Sequence, residues 1–271
     1  LFRRNDAHRI IEELMLQANC AVAEFLRAAR VPFPYRIHEP PAPEAIEELN
    51  QALAPFGMTV KWKHEVQPAD VQRLLARLEP HRLARVLSRL VLRSLAQARY
   101  SVRNAGHFGL AFRDYCHFTS PIRRYPDLLV HRQLLRVLDG VEEGAREEAE
   151  AIDAASRHSS FLERRAMEAE RAMLDLRKAE FMLEHLLEPL PATVVSVARF
   201  GAFVELEAYP VEGLLRAEGP PSPRRARGRL RAPRPRRRHF QLGDRVVVEA
   251  TNASLRQRRV EFALVEGPSP G

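Results

Sequence analysis

His117-Phe118-Thr119-Ser120-Pro121-Ile122-Arg123-Arg124-Tyr125-Pro126-Asp127-Leu128-Leu129-Val130-His131 is the stretch around which this chain is organised. Its chemistry is that of an anion-binding helix entrance. Thr119 and Ser120 offer hydroxyls at an N-cap, and Pro121 suits a first helical position, where a missing N–H costs nothing. Arg123 and Arg124 then fall in the first turn, where free backbone N–H groups and the helix dipole already favour negative charge. Ile122, Tyr125, Leu128, Leu129, Leu135 and Leu138 recur at helical spacing, which predicts one buried face that fixes the arginines. Pro126 leaves a second start open, nearer Tyr125. An ordinary helix with an exposed basic end has the same spacing, so periodicity alone assigns no function.

The residue types around the stretch say more. His107-Phe108-Gly109-Leu110, then Tyr115, then His117 to Asp127 and on to His131-Arg132, resemble the signature of the RNase II/RNase R exoribonuclease family. The wording Pro126-Asp127-Leu128-Leu129-Val130-His131 leans towards RNase R. The resemblance implies processive, magnesium-dependent 3′-to-5′ hydrolysis of single-stranded RNA to nucleoside 5′-monophosphates, by a cytoplasmic monomer. It also implies that Arg123 contacts the scissile phosphate and stabilises charge developing in the transition state, a role suited to a fixed guanidinium fork. Thr119, Ser120 and Arg124 would touch phosphate or backbone, and Tyr125 would pack against or orient the arginine.

The whole chain sets the bounds. Its 271 residues suffice for one large domain or two smaller ones. Lys+Arg number 43 against 35 Asp+Glu, a net charge of +8. That surplus is local: residues 216–239 hold ten arginines and one acid, Glu218. A near-neutral body with one basic tract fits contact with a polyanion. Cys20 and Cys116 are too few for a disulfide framework and have no metal-ligand company, which suits a reducing compartment. No apolar run approaches the roughly 18 residues needed to span a bilayer, and no signal peptide opens the chain. The start at Leu1, within Arg3-Arg4-Asn5-Asp6, reads as the tail of something longer.

Taken in order, residues 6–28 predict an amphipathic helix capped by Asn5 or Asp6, with Ile10, Ile11, Leu14, Met15, Ala18, Ala21, Val22 and Phe25 on one face. Glu12 and Asn19 lie almost in register at the border of that face. A carboxylate there is ordinarily a solvated flank. The run from Arg3 to Met15, with Ala18-Asn19, is similar to a channel-lining helix of the family, which implies that Glu12 and Asn19 contact RNA near its 3′ end. Prolines 32, 34, 40, 41 and 43 mark a stiff connection. Short helices are expected over 43–53 and 68–78, and a longer one over 80–99. Trp62 beside two lysines could stack on a base or simply pack. His107, His117 and His131 have no acid at ligand spacing, which favours contacts to backbone or RNA over metal ligation.

One long helix is expected from Glu142 to Leu187, with a possible break near His158. Its seam would be Ile152, Ala155, Ser159, Leu162, Ala166, Ala169, Met173 and Leu176. Met167-Glu168-Ala169-Glu170-Arg171-Ala172 resembles a family segment near the catalytic cleft, which makes Glu170 an RNA-binding candidate. The competing reading is an exposed Glu paired with a nearby Arg.

Pro189-Leu190-Pro191 marks a boundary, after which the period changes from 3.6 to 2. Val195 to Leu206, then Glu212-Gly213-Leu214-Leu215, Leu242 to Val248 and Arg259 to Val265, resemble an S1 domain, an RNA-binding OB-fold barrel. Arg199, Phe200 and Phe203 stand where such barrels bind and stack bases. Phe203 is also the better core candidate of the two aromatics, because Phe203 and Val204 must face opposite sides of the strand. The Arg/Pro-rich insert, about 216–238, departs from the family. It suits either a segment giving salt-sensitive, sequence-blind affinity or a plain basic loop.

The expected fold is therefore α+β: residues 1–188 as the mainly helical second half of an RNB catalytic domain, and 189–267 as a five-stranded S1 barrel. Two-metal phosphodiester hydrolysis needs carboxylates holding ions about 4 Å apart. The chain's aspartates are dispersed, and in the family the metal-binding aspartates precede the matched region. No residue here is assigned to metal, and the chain alone is expected to be inactive. The alternative is a non-catalytic RNA-binding protein that uses the barrel and the arginine tract.

Overall fold

A computed structural model of the chain describes residues 4–60, 62, 65–140, 146–198, 200–216 and 240–267. The elements are α1 (Asp6–Ala28), β1 (Tyr35–Ile37), α2 (Pro43–Leu53), α3 (Pro68–Leu78), α4 (Ala84–Ser94), β2 (Arg99–Ser101), α5 (Tyr125–Leu138) and α6 (Arg146–Glu184). Then follow β3 (Pro189–Ala198), β4 (Gly201–Leu206), β5 (Glu212–Arg216), β6 (Arg245–Ser254) and β7 (Arg259–Glu266). The fold is α+β, as the sequence predicts. Two compact units divide inside α6: Leu1–Arg165 and Ala166–Gly271.

In the first unit, Ala23 and Leu26 of α1, Phe33, Tyr35 and Ile37 around β1, Cys116, and Val130 of α5 form one core. Asn5 caps α1 by accepting from the His8 N–H at 3.1 Å. The buried stripe of α1 is Asn19, Ala23 and Leu26. The predicted apolar face is instead largely open, with Ile10, Ile11 and Leu14 each more than half exposed and Phe25 also exposed. Periodicity finds the apolar residues of a helix, but the core reaches only its C-terminal half.

The arginine-bearing stretch also differs from expectation. Helix α5 starts at Tyr125 with Arg124 as N-cap and a proline in its first turn. Thr119, Ser120 and Pro121 therefore precede the helix and do not cap it. Pro126 decides this: it has no N–H to give, so it is tolerated only in a first turn. Ile122 is fully exposed and Tyr125, Leu135 and Leu138 are open. The buried face is Pro126, Asp127, Leu129, Val130 and Gln133.

Helices α2 and α3 occupy the expected spans, each with a proline at its start. The expected 80–99 helix shortens to α4, burying Leu87 and Val91, because residues 99–101 pair with β1 (Tyr35 with Ser101, Ile37 with Arg99). Helix α6 runs without a break at His158 over 39 residues. Its seam is not the predicted one. Ile152, Ser156 and Ser160 are buried, then Ala179 and Met182, whereas Leu162, Met167 and Met173 are exposed. Ser160 earns its burial by accepting the Tyr100 N–H of β2 at 2.9 Å.

The second unit is a closed barrel in the order β3-β4-β5-β7-β6, with β3 pairing both β4 and β6. Closure leaves no strand edge open to pair with another chain. Ala192, Val194, Ala202, Val204, Leu206, Val246, Val248, Phe262 and Leu264 fill it, and Met182 from the end of α6 joins that core. The close approach of β5 to β7 depends on Gly213, where an added Cβ would lie 2.5 Å from the Phe262 ring and 2.5 Å from the Val260 carbonyl oxygen. Gly213→Ala is expected to cost about 1–3 kcal/mol by overpacking, read as a lowered unfolding temperature of the β-rich transition.

Candidate nucleic-acid interface

The turn before α5 is held from several directions. Its closure begins at the Ser120 carbonyl, which accepts from the N–H of Arg123 at 3.3 Å and of Arg124 at 3.2 Å. Asp127, completely buried, turns one carboxylate oxygen towards the Ser120 N–H at 2.8 Å and the Arg124 guanidinium at 2.8 Å. Upstream, Phe118 is fixed by two side chains: its N–H donates to the Asn19 amide oxygen at 2.9 Å, and its carbonyl bonds His131 Nε2 at 2.9 Å. The His131 ring stacks on Phe118, centroids 4.1 Å apart. Charged partners and burial make such hydrogen bonds strong.

The two arginines consequently have different fates. Arg124 is tied to Asp127 in a pair whose acid is inaccessible, so part of its guanidinium is engaged in holding the turn. Arg123 is exposed, and among the described residues its guanidinium has neither ion pair nor hydrogen bond. Asn19 also moves from expected contact to framework: it is buried, and its amide is spent on Phe118 and on the Tyr115 hydroxyl at 3.2 Å. Thr119 and Ser120 are half-buried, and Tyr125 is open at the helix start.

The field around the turn is positive. His117, bonded through Nδ1 to the Tyr100 hydroxyl at 2.8 Å, is held down to a pKa of about 3, first by burial and then by the charges of Arg124, Arg36, His107 and Arg123. His107 is lowered to about 4, again chiefly by burial, with His38 and Arg36 adding to it. Burial pushes Tyr100 up to about 12 and raises the Cys116 thiol well above its usual range. These groups are neutral at pH 7, so arginine charge dominates. Arg36 is itself clamped, with both terminal guanidinium nitrogens donating to Glu163 at 2.7 and 3.1 Å, and it lies over the Tyr100 ring.

The remaining candidates fall as follows. Glu12 is exposed on α1 in an ion pair with Arg4, a surface pair that binding could open at little cost. Glu170 is exposed on the part of α6 in the second unit. On the barrel, Phe200 is 59% exposed and meets Phe203 edge-to-face at 6.2 Å. Phe203 is thus on the outer side with Phe200, and Ala202, Val204 and Leu206 point into the core; the core assignment for Phe203 is corrected by the strand's own alternation. Arg199 and 217–238 of the Arg/Pro tract lie outside the described residues.

Sequence reasoning passed over Asp127 as one dispersed acid, although Arg124 stands three residues before it, and over Arg36, Glu163 and Tyr100, because partners so far apart in the chain leave no spacing signal. Among the described residues, no group of three or more His, Cys, Asp or Glu comes together to hold a metal ion. Asp114, also buried, is taken by Arg27 and Asn104. The magnesium implied by the resemblance therefore finds no ligand set among them. Nor, among them, is any helix long and apolar enough to cross a membrane.

The two depressed histidines carry a stability signature. Folded, they stay neutral down to about pH 4 and pH 3, whereas the unfolded chain protonates them near pH 6.5. Unfolding then takes up protons, so stability is full above pH 6.5 and falls as pH drops towards 4. Thermal unfolding followed across that window is expected to show a flatter decline for His117→Asn than for the unaltered chain.

The RNB domain family matches residues 2–140. Ribonuclease R of Aquifex aeolicus (strain VF5) is 40% identical over 274 residues, covering 98% of this chain and 38% of that protein. Mycoplasma genitalium RNase R in complex with ribose methylated single-stranded RNA has a TM-score of 0.81 at 22% identity, covering 97% of this chain and 42% of that one. Yeast Ssd1, described as a pseudonuclease, has a TM-score of 0.64 at 21% identity, covering 80% and 27%. The two structural likenesses concern the fold, and the chain spans well under half the length of each of these proteins. The domain match over the arginine turn and its frame, together with the ribonuclease R identity along nearly the whole chain, establishes that the chain belongs to the RNase II/RNase R (RNB) family and is RNase R-like.

Proposed function

We propose that this chain is the RNA-gripping part of a processive 3′-to-5′ exoribonuclease, a cytoplasmic monomer that degrades single-stranded RNA to nucleoside 5′-monophosphates. Residues 1–188 belong to the catalytic domain and 189–267 to an S1 domain. The carrying observation is Arg123: an exposed guanidinium without a protein partner among the described residues, on a turn whose Ser120 and Arg124 are both tied to Asp127. A fork held in that way suits a phosphate whose charge grows in the transition state. Thr119, Ser120 and Tyr125 line its approach, Glu12 hydrogen-bonds the RNA near its 3′ end, Glu170 is a further RNA contact, and Phe200 with Phe203 stacks bases outside the barrel. Asn19 and Arg124 support this grip from behind.

Bound magnesium would activate the attacking water and neutralise developing charge in such hydrolysis, and we assign its ligands to polypeptide other than this chain. The open apolar side chains of Ile10, Ile11 and Leu14 on α1 are a surface that such polypeptide would cover. The likeness to a protein described as a pseudonuclease keeps a second reading in view, a clamp that binds RNA without cutting it.

The chain by itself is expected to bind single-stranded RNA, with affinity falling as salt rises, and to release no mononucleotide with magnesium present. Mononucleotide release would overturn the assignment of the metal ligands. Phe200→Ala should weaken binding by about 1–3 kcal/mol, the worth of one stacked base, in an anisotropy titration. In a protein that also carries the metal-binding half, Arg123→Lys should lose most turnover and keep RNA affinity. Unchanged turnover would remove Arg123 from catalysis, and absence of turnover in the unaltered protein would favour the clamp.

A further inference from the structure

We propose that Asp127 is a positioning residue: its buried carboxylate sets the geometry of the turn that presents Arg123 to RNA phosphate. The inference rests on the reading of Arg123 given above. Three observations carry it. First, the Asp127 carboxylate binds both ends of the turn, Ser120 N–H and Arg124 guanidinium, each at 2.8 Å, and Arg123 lies between those two points. Secondly, α5 has no side-chain cap from its N-cap residue, Arg124. The orienting contact comes from inside the helix's first turn, so helix and arginine turn are coupled through one side chain.

The third observation separates positioning from stability. Among the described residues, Arg124 Nε and the other Asp127 oxygen are buried without a hydrogen-bond partner. A buried pair that leaves polar atoms unsatisfied is a poor stabiliser, and an apolar pair of the same volume often serves a fold as well. What an apolar pair cannot supply is direction. The carboxylate fixes where the Ser120 N–H and the Arg124 guanidinium point, and through them the backbone on both sides of Arg123. Asn19 and His131 hold Phe118 in a similar way, but they end upstream of Ser120.

The test is a double-mutant cycle in the whole chain, read as affinity for a short single-stranded RNA across a salt series. Arg123→Gln should weaken binding about tenfold, the worth of one charge-assisted contact, and lower the salt slope by about one. Asp127→Asn, similar in volume, should weaken binding and lower the slope in the same way. The double variant should bind no worse than Arg123→Gln alone, since a residue acting through Arg123 has nothing left to act on. Circular dichroism confirms folding; where Asp127→Asn does not fold, Arg124→Gln removes the other end of the tie and is read identically. Additive losses, or no loss from Asp127→Asn where Arg123→Gln does lose affinity, overturn the positioning role alone. Unchanged affinity in Arg123→Gln overturns the reading of Arg123 and this proposal together.

Discussion

A single buried carboxylate oxygen, that of Asp127, governs how the first unit displays its chemistry. It accepts from a main-chain N–H and from a guanidinium, and both donors belong to a turn whose own backbone bonds all converge on the single carbonyl of Ser120. Without that acceptor, a short segment rich in basic side chains would be an ordinary mobile loop. With it, Arg124 is paired with a buried acid, while Arg123 has no partner among the described residues. Two adjacent arginines, chemically identical, thereby differ in what holds them, and only Arg123 of the two is exposed.

Burial completes the arrangement. Histidines at 107 and 117 would, if protonated, add charge beside the arginines, but desolvation holds both neutral at ordinary pH. The positive field therefore comes from guanidinium groups, which do not titrate in any accessible range. Arg36 is balanced by Glu163 and Arg27 by Asp114. Arg124 is likewise balanced by Asp127, whereas Arg123 has no such partner among the described residues.

The barrel solves a different problem by simpler means. Alternation along β4 sends Ala202, Val204 and Leu206 inward, so Phe203 must stand outside beside Phe200. No long-range partner is needed to place that aromatic pair. Closure of β3 on both β4 and β6 makes the sheet self-contained, and Gly213 allows β5 to pass close to β7. The order β3-β4-β5-β7-β6 keeps the two aromatic positions on one rigid strand and turn.

How much of this was legible beforehand depended on the range of the interactions involved. Local rules reached far: proline-started α2 and α3, the Asn5 cap, the long α6, and the change from period 3.6 to 2 at Pro189 all follow from neighbours in sequence. The family resemblance, too, was written in consecutive residues around Arg123. Burial was not legible in the same way. The apolar faces of α1 and α6 were read from composition, but only the packing of β1, β2 and α5 decides which side meets a core, so Asn19, Ser156 and Ser160 are buried and Ile10, Leu14 and Met173 are not. The helix start at Tyr125 was half legible, because Pro126 restricts it from within. The sequence by itself thus determined most of the helices, the barrel and the family, but not the small β1–β2 pairing that shortens α4. The tertiary structure alone decided that Arg123 and not Arg124 is free, because that choice rests on where a buried carboxylate finds its hydrogen-bond donors.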